Sequence, residues 1–398
     1  MNQKYGSFRR FLNLCNYRVY KLSLLVIQVG LNFDNFVVVK NTLLFLLLIG
    51  TRVLAQGVIP VIDFNNFFLS FQDGYFRSIE VQPILDFKAG DELVAYRDTR
   101  GNLRLYDGIS RKDITNLNVQ YQVSDHLLGY MIGPTLNMWD NGELSTLTYF
   151  ARNFLVRDSM IVFEDTRFNT INAYWQDSSY MLSTLMRDLD MPVATGENLL
   201  VFKDNGNMYK VFWNGDIYEI DVWNNQQNIV FNVGTDILCF NDPTTQTFAV
   251  FDRGAFYDIE QLPMVRYKAG RGFVVYEDNG GDLWYYKDGE NFQLSNFGTD
   301  SWDVKDDIVV WTESSYFFAY CNGEKTEICN FKPLDYKIKN DVLAYRNILG
   351  GVNAFVNGKA YELTNMPDSN YEIYGSRVLV SLFNNSFIVL ENGKQFKN

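Results

Sequence analysis

The chain has 398 residues, of which 47% are hydrophobic and 16% aromatic, so it can bury a large core but exceeds one ordinary domain. We therefore expect either several domains or one array of repeats. The formal net charge is -12, although residues 1–55 contain seven basic side chains and one acidic one, which leaves 28 basic and 46 acidic residues beyond them, a net charge of -18. Such an acidic surface repels phosphate backbones and argues against nucleic acid as a partner.

The first predicted element is an export signal. Lys40 precedes an apolar run from Leu43 to Ile49, and Val53-Leu54-Ala55 places small residues where a signal peptidase cleaves. We predict that residues 1–55 are an N-terminal extension and signal peptide removed after Ala55, and that the mature chain is soluble in the periplasm or at the cell surface, with no membrane span. A membrane anchor is the alternative, but the apolar run is about half the roughly 20 residues that span a bilayer.

Beyond the signal, a four-residue apolar segment recurs at intervals of 33 to 39 residues. Self-similarity at such a spacing is typical of repeat proteins. The copies are Leu93 to Tyr96, Leu127 to Tyr130, Met160 to Phe163, Leu199 to Phe202, Ile237 to Phe240, Phe273 to Tyr276, Ile308 to Trp311, Val342 to Tyr345 and Val378 to Ser381.

Two sets of glycines recur at fixed positions within the units. One ends an apolar strand about 15 residues after each segment start, as at Gly108 and Gly142, and only the third unit lacks it. The other lies three residues before the segment in several units, as at Gly90, Gly234 and Gly270. We expect both sets to supply the positive φ that tight hairpins require.

Each unit of about 36 residues contains four short strands. One four-stranded sheet cannot bury both of its faces, so the sheets must stack around an axis. The predicted fold is therefore all-β, a β-propeller of eight to nine four-stranded blades over residues 56–398. The first unit (Ile59 to Glu80) lacks an inner strand and is predicted to close the ring by pairing with the last unit (Tyr371 to Phe396). The third unit, without its glycine, is the one that would reduce nine blades to eight.

A family resemblance rests on one unit in particular. The stretch from Phe87 to Asp98 (Phe-Lys-Ala-Gly-Asp-Glu-Leu-Val-Ala-Tyr-Arg-Asp), followed by Gly101 to Gly108 and Asp113-Ile114-Thr115, resembles the WD-like repeat of TolB-type bacterial periplasmic propellers. The resemblance covers roughly residues 59–396, although Ala89-Gly90-Asp91 replaces the usual Ser-Pro-Asp-Gly turn. It implies an exported propeller that binds a partner, and it supports the fold more than any activity.

The innermost strands carry the candidate site. Because strand side chains alternate, the residue five before each apolar segment should point the same way in every blade. These positions are Lys88, Gln122, Leu155, Ala194, Asn232, Lys268, Asp303, Lys337 and Ile373. We predict that the six polar ones line a water-filled channel, where the three lysines would hold an anionic ligand or an acidic partner peptide. The alternative is a solvated channel in which the lysines offset nearby acids such as Asp86 and Asp303.

No motif for catalysis is present. His126 is the only histidine and no Cys-x-x-Cys occurs, so we predict no catalytic residue, metal or cofactor. The predicted function is a non-catalytic binding or scaffold module for an envelope or surface protein. A glycan-binding propeller is a second possibility, since flat aromatic faces stack on sugars; its candidates are Trp175, Trp213, Trp223, Trp284 and Tyr285-Tyr286. A glycan-active hydrolase with paired carboxylates is the third.

Overall fold

The computed structural model describes residues 57–398, except positions 158, 185–191, 193, 224–228, 296 and 384. The chain divides into two units, residues 1–56 and 57–398, and every described residue belongs to the second. The predicted signal peptide and its cleavage site at Ala55 therefore lie outside the described residues and stay predictions.

The described residues form short β-strands joined by turns. Blades 1 to 5 contain β1 (Ile59–Ile62), β2 (Phe68–Gln72), β3 (Tyr75–Glu80), β4 (Ile84–Ala89), β5 (Val94–Asp98), β6 (Leu103–Tyr106), β7 (Arg111–Thr115), β8 (Gln120–Val123), β9 (Leu127–Ile132), β10 (Thr135–Asp140), β11 (Glu143–Thr148), β12 (Ala151–Arg157), β13 (Met160–Asp165), β14 (Thr170–Trp175), β15 (Ser178–Thr184), β16 (Ala194–Thr195), β17 (Leu199–Lys203), β18 (Met208–Trp213) and β19 (Asp216–Trp223). Blades 6 to 10 contain β20 (Asn232–Val233), β21 (Ile237–Asp242), β22 (Thr247–Asp252), β23 (Ala255–Glu260), β24 (Arg266–Ala269), β25 (Val274–Glu277), β26 (Leu283–Lys287), β27 (Glu290–Ser295), β28 (Ser301–Lys305), β29 (Ile308–Glu313), β30 (Tyr316–Cys321), β31 (Glu324–Cys329), β32 (Tyr336–Lys339), β33 (Val342–Arg346), β34 (Val352–Val356), β35 (Lys359–Thr364), β36 (Asn370–Tyr374), β37 (Arg377–Ser381), β38 (Phe387–Glu391) and β39 (Lys394–Lys397).

These strands make ten separate sheets, each built from strands consecutive in sequence. Blade 1 has three described strands, β1 to β3, and each of the other blades has four. The first strands of successive blades contact one another, as β4 contacts β8 and β20 contacts β24, so these strands surround the axis. An antiparallel four-stranded sheet repeated about an axis is the architecture of a propeller.

The predicted count of eight to nine blades is wrong, because both terminal units form sheets of their own. The last unit has an outer strand, since β39 pairs with β38. The third unit is also a complete blade, in which Gln176 and Asp177 adopt φ of 47° and 60° and make the β14–β15 turn without glycine. A missing glycine there marks different turn residues and not a missing blade.

The ring closes by side-chain packing between blades 1 and 10. The predicted strand pairing of the two terminal units is wrong for the described strands, none of which joins a sheet of blade 1 to one of blade 10. Val61 and Phe71 of blade 1 instead pack against Leu379 and Val389 of blade 10. The Phe71 and Phe396 rings lie 5.3 Å apart. Burial of apolar surface, at about 25 cal/mol per Å², therefore holds the seam.

The same kind of packing joins blades elsewhere in the ring. Val162 of blade 4, for example, shares a buried cluster with Leu200 and Phe212 of blade 5. The second and third strands of each blade are the most deeply buried, as in β13, where every residue is buried. The core is therefore a series of apolar layers between blades, which requires strands that are hydrophobic on both faces.

The glycines between the third and fourth strands behave as predicted. Gly142 and Gly215 have φ of 95° and 84°, and they follow Asn141 and Asn214, which have φ of 46° and 52°. Two successive residues with positive φ are the requirement of a type I′ hairpin turn. Asparagine tolerates the first position and glycine the second, so this part of the repeat is set by local backbone sterics.

For most of the glycines nearest the axis the predicted reason is wrong, although Gly375 does adopt a positive φ of 57°. Gly90, Gly234 and Gly270 do not adopt positive φ. A Cβ on Gly90 would lie 1.9 Å from the Ser124 carbonyl oxygen, and one on Gly234 would lie 1.9 Å from the Gly270 carbonyl oxygen. Glycine is needed here because the backbone of the next blade approaches closely. These turns form a tightly packed rim around one end of the channel.

Candidate functional site

The predicted channel residues lie on the first strands of their blades. The six polar ones are Lys88 on β4, Gln122 on β8, Asn232 on β20, Lys268 on β24, Asp303 on β28 and Lys337 on β32. Each pairs with the third residue of the following apolar segment, as Lys88 does with Ala95 and Lys337 with Ala344. The structure therefore places them at one level around the axis. Ligand binding by this row stays a prediction.

Side chains of this row join four pairs of neighbouring blades. Lys88 Nζ donates to the Tyr121 carbonyl oxygen at 2.7 Å. The Lys268 ammonium pairs with the Asp303 carboxylate of the following blade, and Gln122 bonds the backbone of β12 through both amide atoms. The polar character that suggested a ligand site thus has a structural use, because Lys88, Gln122 and Lys268 bond groups of the following blade.

Blade 10 departs from the prediction by one residue. Lys337 Nζ donates to the Tyr371 carbonyl oxygen at 2.9 Å and pairs with the Glu372 carboxylate. Glu372 has the register of this row, whereas the predicted Ile373 is only 8% exposed and faces the core. The predicted position is one residue too late because it was counted back from Val378, the first apolar residue of the segment. The second strand of blade 10 in fact begins one residue earlier, with the charged Arg377. Counting from the preceding turn would have found Glu372.

A second set of charged side chains, which sequence reasoning missed, lies at the rim formed by the turns between first and second strands. We call it the mouth network; it comprises Asp91, Asp125, Glu197, Arg271, Asp306, Asp307, Lys339 and Asn340. Lys339 of blade 9 pairs with Asp91 of blade 2 and lies 3.5 Å from Asp125 of blade 3. Arg271 of blade 7 bonds Glu197 of blade 5 at 3.3 Å. Lys339 and Asp91 are 248 residues apart, so no local motif reveals them.

The protonation of this network depends on Lys339. Burial raises the pKa of Asp125, the neighbouring Asp91 carboxylate raises it further, and Lys339 partly opposes both effects. Burial by itself would lower the pKa of Lys339, but the Asp125 and Asp91 carboxylates raise it above its usual value. The lysine is therefore the charge that allows two carboxylates to share one end of the channel.

Lys339→Met is expected to lower the free energy of unfolding by about 2 kcal/mol near pH 8. Removing one partner of a fully buried ion pair costs about 3–5 kcal/mol. The expected loss is smaller here because the Lys339, Asp91 and Asp125 side chains are 24%, 19% and 33% exposed to solvent. The wild-type lysine stays charged throughout pH 5 to 8, because its pKa is raised. Since the Asp125 pKa is also raised, the folded variant binds a proton more tightly than the unfolded chain, and its stability rises as pH falls toward 5.

Urea unfolding at both pH values measures this effect. The matched control is Lys359→Met, which removes an exposed lysine and should change little at either pH. If Lys339→Met lost the same free energy of unfolding relative to the wild type at both pH values, the role assigned to Asp125 would be contradicted.

The two ends of the ring differ in the loops that they expose. Turns between strands 1 and 2 and between strands 3 and 4 lie at the mouth end, so turns between strands 2 and 3 and the links to the next blade lie at the other end, which we call the linker face. Among the described turns of the mouth end, Ile109 is the large apolar side chain that is exposed. Those exposed in loops of the linker face are Phe64, Phe67, Val81, Leu117, Tyr149, Phe150, Phe168, Val230, Leu262, Val265, Phe297, Leu334, Ile348, Leu349, Met366 and Phe383.

A comparison with protein families agrees with the ten sheets. The family described as "10-bladed beta propeller domain" matches residues 52–396. The chain belongs to this family. Membership corrects the predicted eight to nine blades and confirms a propeller of the WD-like kind at the level of fold. No curated protein sequence matches the chain significantly.

The chain has a distant similarity to several solved structures. The computationally designed Ika8 protein is 11% identical, with a TM-score of 0.36 over 84% of this chain and 99% of that chain. Human WBSCR16 is 7% identical, with a TM-score of 0.34 over 56% and 83%. Prp20p from Saccharomyces cerevisiae is 9% identical, with a TM-score of 0.31 over 64% and 90%. Similarity at this level carries no information on function.

Most of the described aromatic residues that suggested glycan binding are used in packing. Trp175 is 6% exposed, with its ring 6.3 Å from Phe212 of the next blade of the propeller. The Trp213 indole donates to Asp236 at 2.8 Å. Tyr285 differs, because it lines a cleft of about 330 Å³ between blades 7 and 8.

Within the residues that the structure describes, no group of three or more His, Cys, Asp or Glu side chains is arranged to hold a metal ion. The same residues contain no helix that is long and apolar enough to cross a membrane.

Proposed function

We propose that this ten-bladed propeller is an exported, non-catalytic binding module of the cell envelope that docks a protein partner on its linker face. The observation that carries the proposal is the set of exposed apolar loops on that face, where Phe383 is 86% and Leu349 74% exposed. Extended apolar surface on a folded protein is typical of interaction sites. The predicted signal peptide supports the envelope location.

The charge of the propeller defines the partner further. Exposed carboxylates stand close in sequence to the apolar loops, with Asp300 near Phe297 and Asp335 next to Leu334. The residues after position 55 also have a net charge of -18. The partner therefore has an apolar docking surface flanked by lysine or arginine, since complementary charge speeds association and selects among partners.

Site-specific photo-crosslinking in intact cells tests this proposal. A photoreactive phenylalanine analogue at Phe383 should capture one envelope protein, and the same analogue at Ile109 on the mouth end should not. The captured protein, once purified, should bind the propeller about tenfold more weakly when Phe64, Phe168, Leu349 and Phe383 are all changed to serine, a loss of about 1.4 kcal/mol. Because these side chains are exposed, the thermal transition should stay in place.

The matched control is Ile109→Ser, which removes an equally exposed apolar side chain from the other end and should leave binding unchanged. Equal capture from both ends would overturn the proposal. So would capture of lipid alone, capture of a second copy of this chain, or a propeller that fractionates with the cytoplasm.

A further inference from the structure

The cleft between blades 7 and 8 lies where Lys287 has the register that Trp175 and Trp213 hold in blades 4 and 5. Trp213 of blade 5 precedes the turn between the third and fourth strands and packs 6.2 Å from Phe251 of blade 6. Lys287 holds the corresponding register in blade 7, but its side chain is exposed. The space that a tryptophan fills between blades 5 and 6 is therefore open between blades 7 and 8, where it has a volume of about 330 Å³.

The turn glycines of blades 6 and 8, which face Trp213 and the cleft, also differ in the space around them. A Cβ on Gly254 of blade 6 would lie 3.3 Å from the Trp213 ring, whereas a Cβ on Gly323 of blade 8 would meet no atom within 4 Å. Gly323 lines the cleft. Trp213 therefore fills the boundary between blades 5 and 6, whereas the equivalent space beside Gly323 is open.

Aromatic rings form the floor and walls of the cleft. The Tyr285 ring lies 4.8 Å from Phe273 and 5.1 Å from Tyr320 of the next blade. Phe292 is 39% exposed and lies 5.6 Å from Tyr320 at an interplanar angle of 59°. Aromatic faces that line a concave site offer apolar surface to a flat ligand without losing much side-chain entropy.

Tyr285 brings a hydroxyl group to the lining of the cleft. Tyr285 is only 6% exposed, and within the described residues its hydroxyl makes no hydrogen bond. Burial, followed by the nearby Tyr320, Asp288 and Asp307, raises its pKa, so the hydroxyl is neutral and can both donate and accept. Because Tyr285 lines the cleft, its hydroxyl is available to a ligand hydroxyl that enters there.

Charged groups of both signs surround these rings. Arg271 and Lys287 supply donors. Acceptors come from Asp288, Glu290 and Asp307, the last of which lies 3.5 Å from Arg271. The near balance of charge disfavours an ion as the ligand, and the alternation of donors and acceptors beside aromatic faces suits a ring with several hydroxyl groups. We propose that the cleft between blades 7 and 8 binds a neutral carbohydrate, which stacks on Phe292 and Tyr320 and bonds the Tyr285 hydroxyl.

Calorimetric titration of the full mature chain tests this site. The probes are neutral trisaccharides of glucose, mannose, galactose, xylose and N-acetylglucosamine, with trilysine as a cationic probe. At least one sugar should bind. Tyr285→Phe should weaken its binding about tenfold, because one hydrogen bond to a buried site is lost, and should not lower the melting temperature, because the hydroxyl has no partner in the protein.

Lys287→Trp should abolish sugar binding by filling the cleft as Trp213 does between blades 5 and 6. Lys359→Trp, which adds a tryptophan at an exposed lysine of blade 9, should bind like the wild type. Three results would overturn the site: no sugar binds at millimolar concentration, Lys287→Trp binds sugar undiminished, or trilysine alone binds. Each outcome is independent of partner docking on the linker face, since the cleft opens at the mouth end.

Discussion

Gly234→Ala is expected to lower the free energy of unfolding by about 3 kcal/mol or more. A Cβ at this position would lie 1.9 Å from the Gly270 carbonyl oxygen and 2.9 Å from the Gly270 carbonyl carbon. Both atoms belong to the backbone of the next blade, so no side-chain rotation can relieve the contact. Overpacking of a close-packed interior typically costs about 1–3 kcal/mol, and the cost rises when two backbones must separate. Urea unfolding of the variant measures it.

Gly289→Ala is the matched control. Gly289 has φ of 86° and no atom within 4 Å of a Cβ, so the same substitution there costs only the left-handed conformation, about 1–2 kcal/mol. If close contact between blades is the reason for glycine, the loss of free energy of unfolding is larger at Gly234. This is expected although only Gly289 has a φ that disfavours other residues. Equal losses at the two positions, or a larger loss at Gly289, would show that the rim glycines serve backbone conformation.

Deletion of blade 10, residues 370–398, is expected to abolish cooperative unfolding of the whole ring. The deletion exposes Ile59, Val61 and Phe71 of blade 1, which are buried against Leu379 and Val389. It also removes the Gly375 amide that donates to Asp91 at 2.8 Å and so disturbs the mouth network. Calorimetry should show a broad transition well below that of the full chain. An unchanged melting temperature would mean an open array without a closing seam.

Phe71→Ala keeps every blade and tests the seam alone. Phe71 is fully buried and contacts rings from both terminal blades, so its truncation should cost about 3–5 kcal/mol. The matched control is Phe383→Ser, which removes an aromatic side chain of blade 10 that is 86% exposed. Its free energy of unfolding should stay within about 0.5 kcal/mol of the wild type. If packing between blades 1 and 10 contributed nothing to stability, the two variants would have similar free energies of unfolding.

Local features of the repeat could be predicted because they depend on a few neighbouring residues. The aspartates that end several second strands illustrate this. Asp204 Oδ1 accepts bonds from the Gly206 and Met208 amides, and Asp278 does the same two and four residues on. Such turns, like the Asn-Gly hairpins, are fixed by side chains within reach of their own backbone. Strand spacing, the type I′ turns and the row from Lys88 to Lys337 follow from the same short-range rules.

The sequence by itself therefore determined the blade as a unit, its strands and its turns, and it placed the predicted channel residues on inner strands. Only the tertiary structure decided the number of blades, the packed seam, the mouth network and the cleft beside Tyr285. Lys339 meets Asp91 across 248 residues. A cleft lies beside Lys287, whereas Trp213 packs against the next blade from the equivalent position of blade 5. Contacts of this kind depend on how wedge-shaped sheets meet around an axis, and residues that are distant in the chain contribute to them without any local sequence pattern.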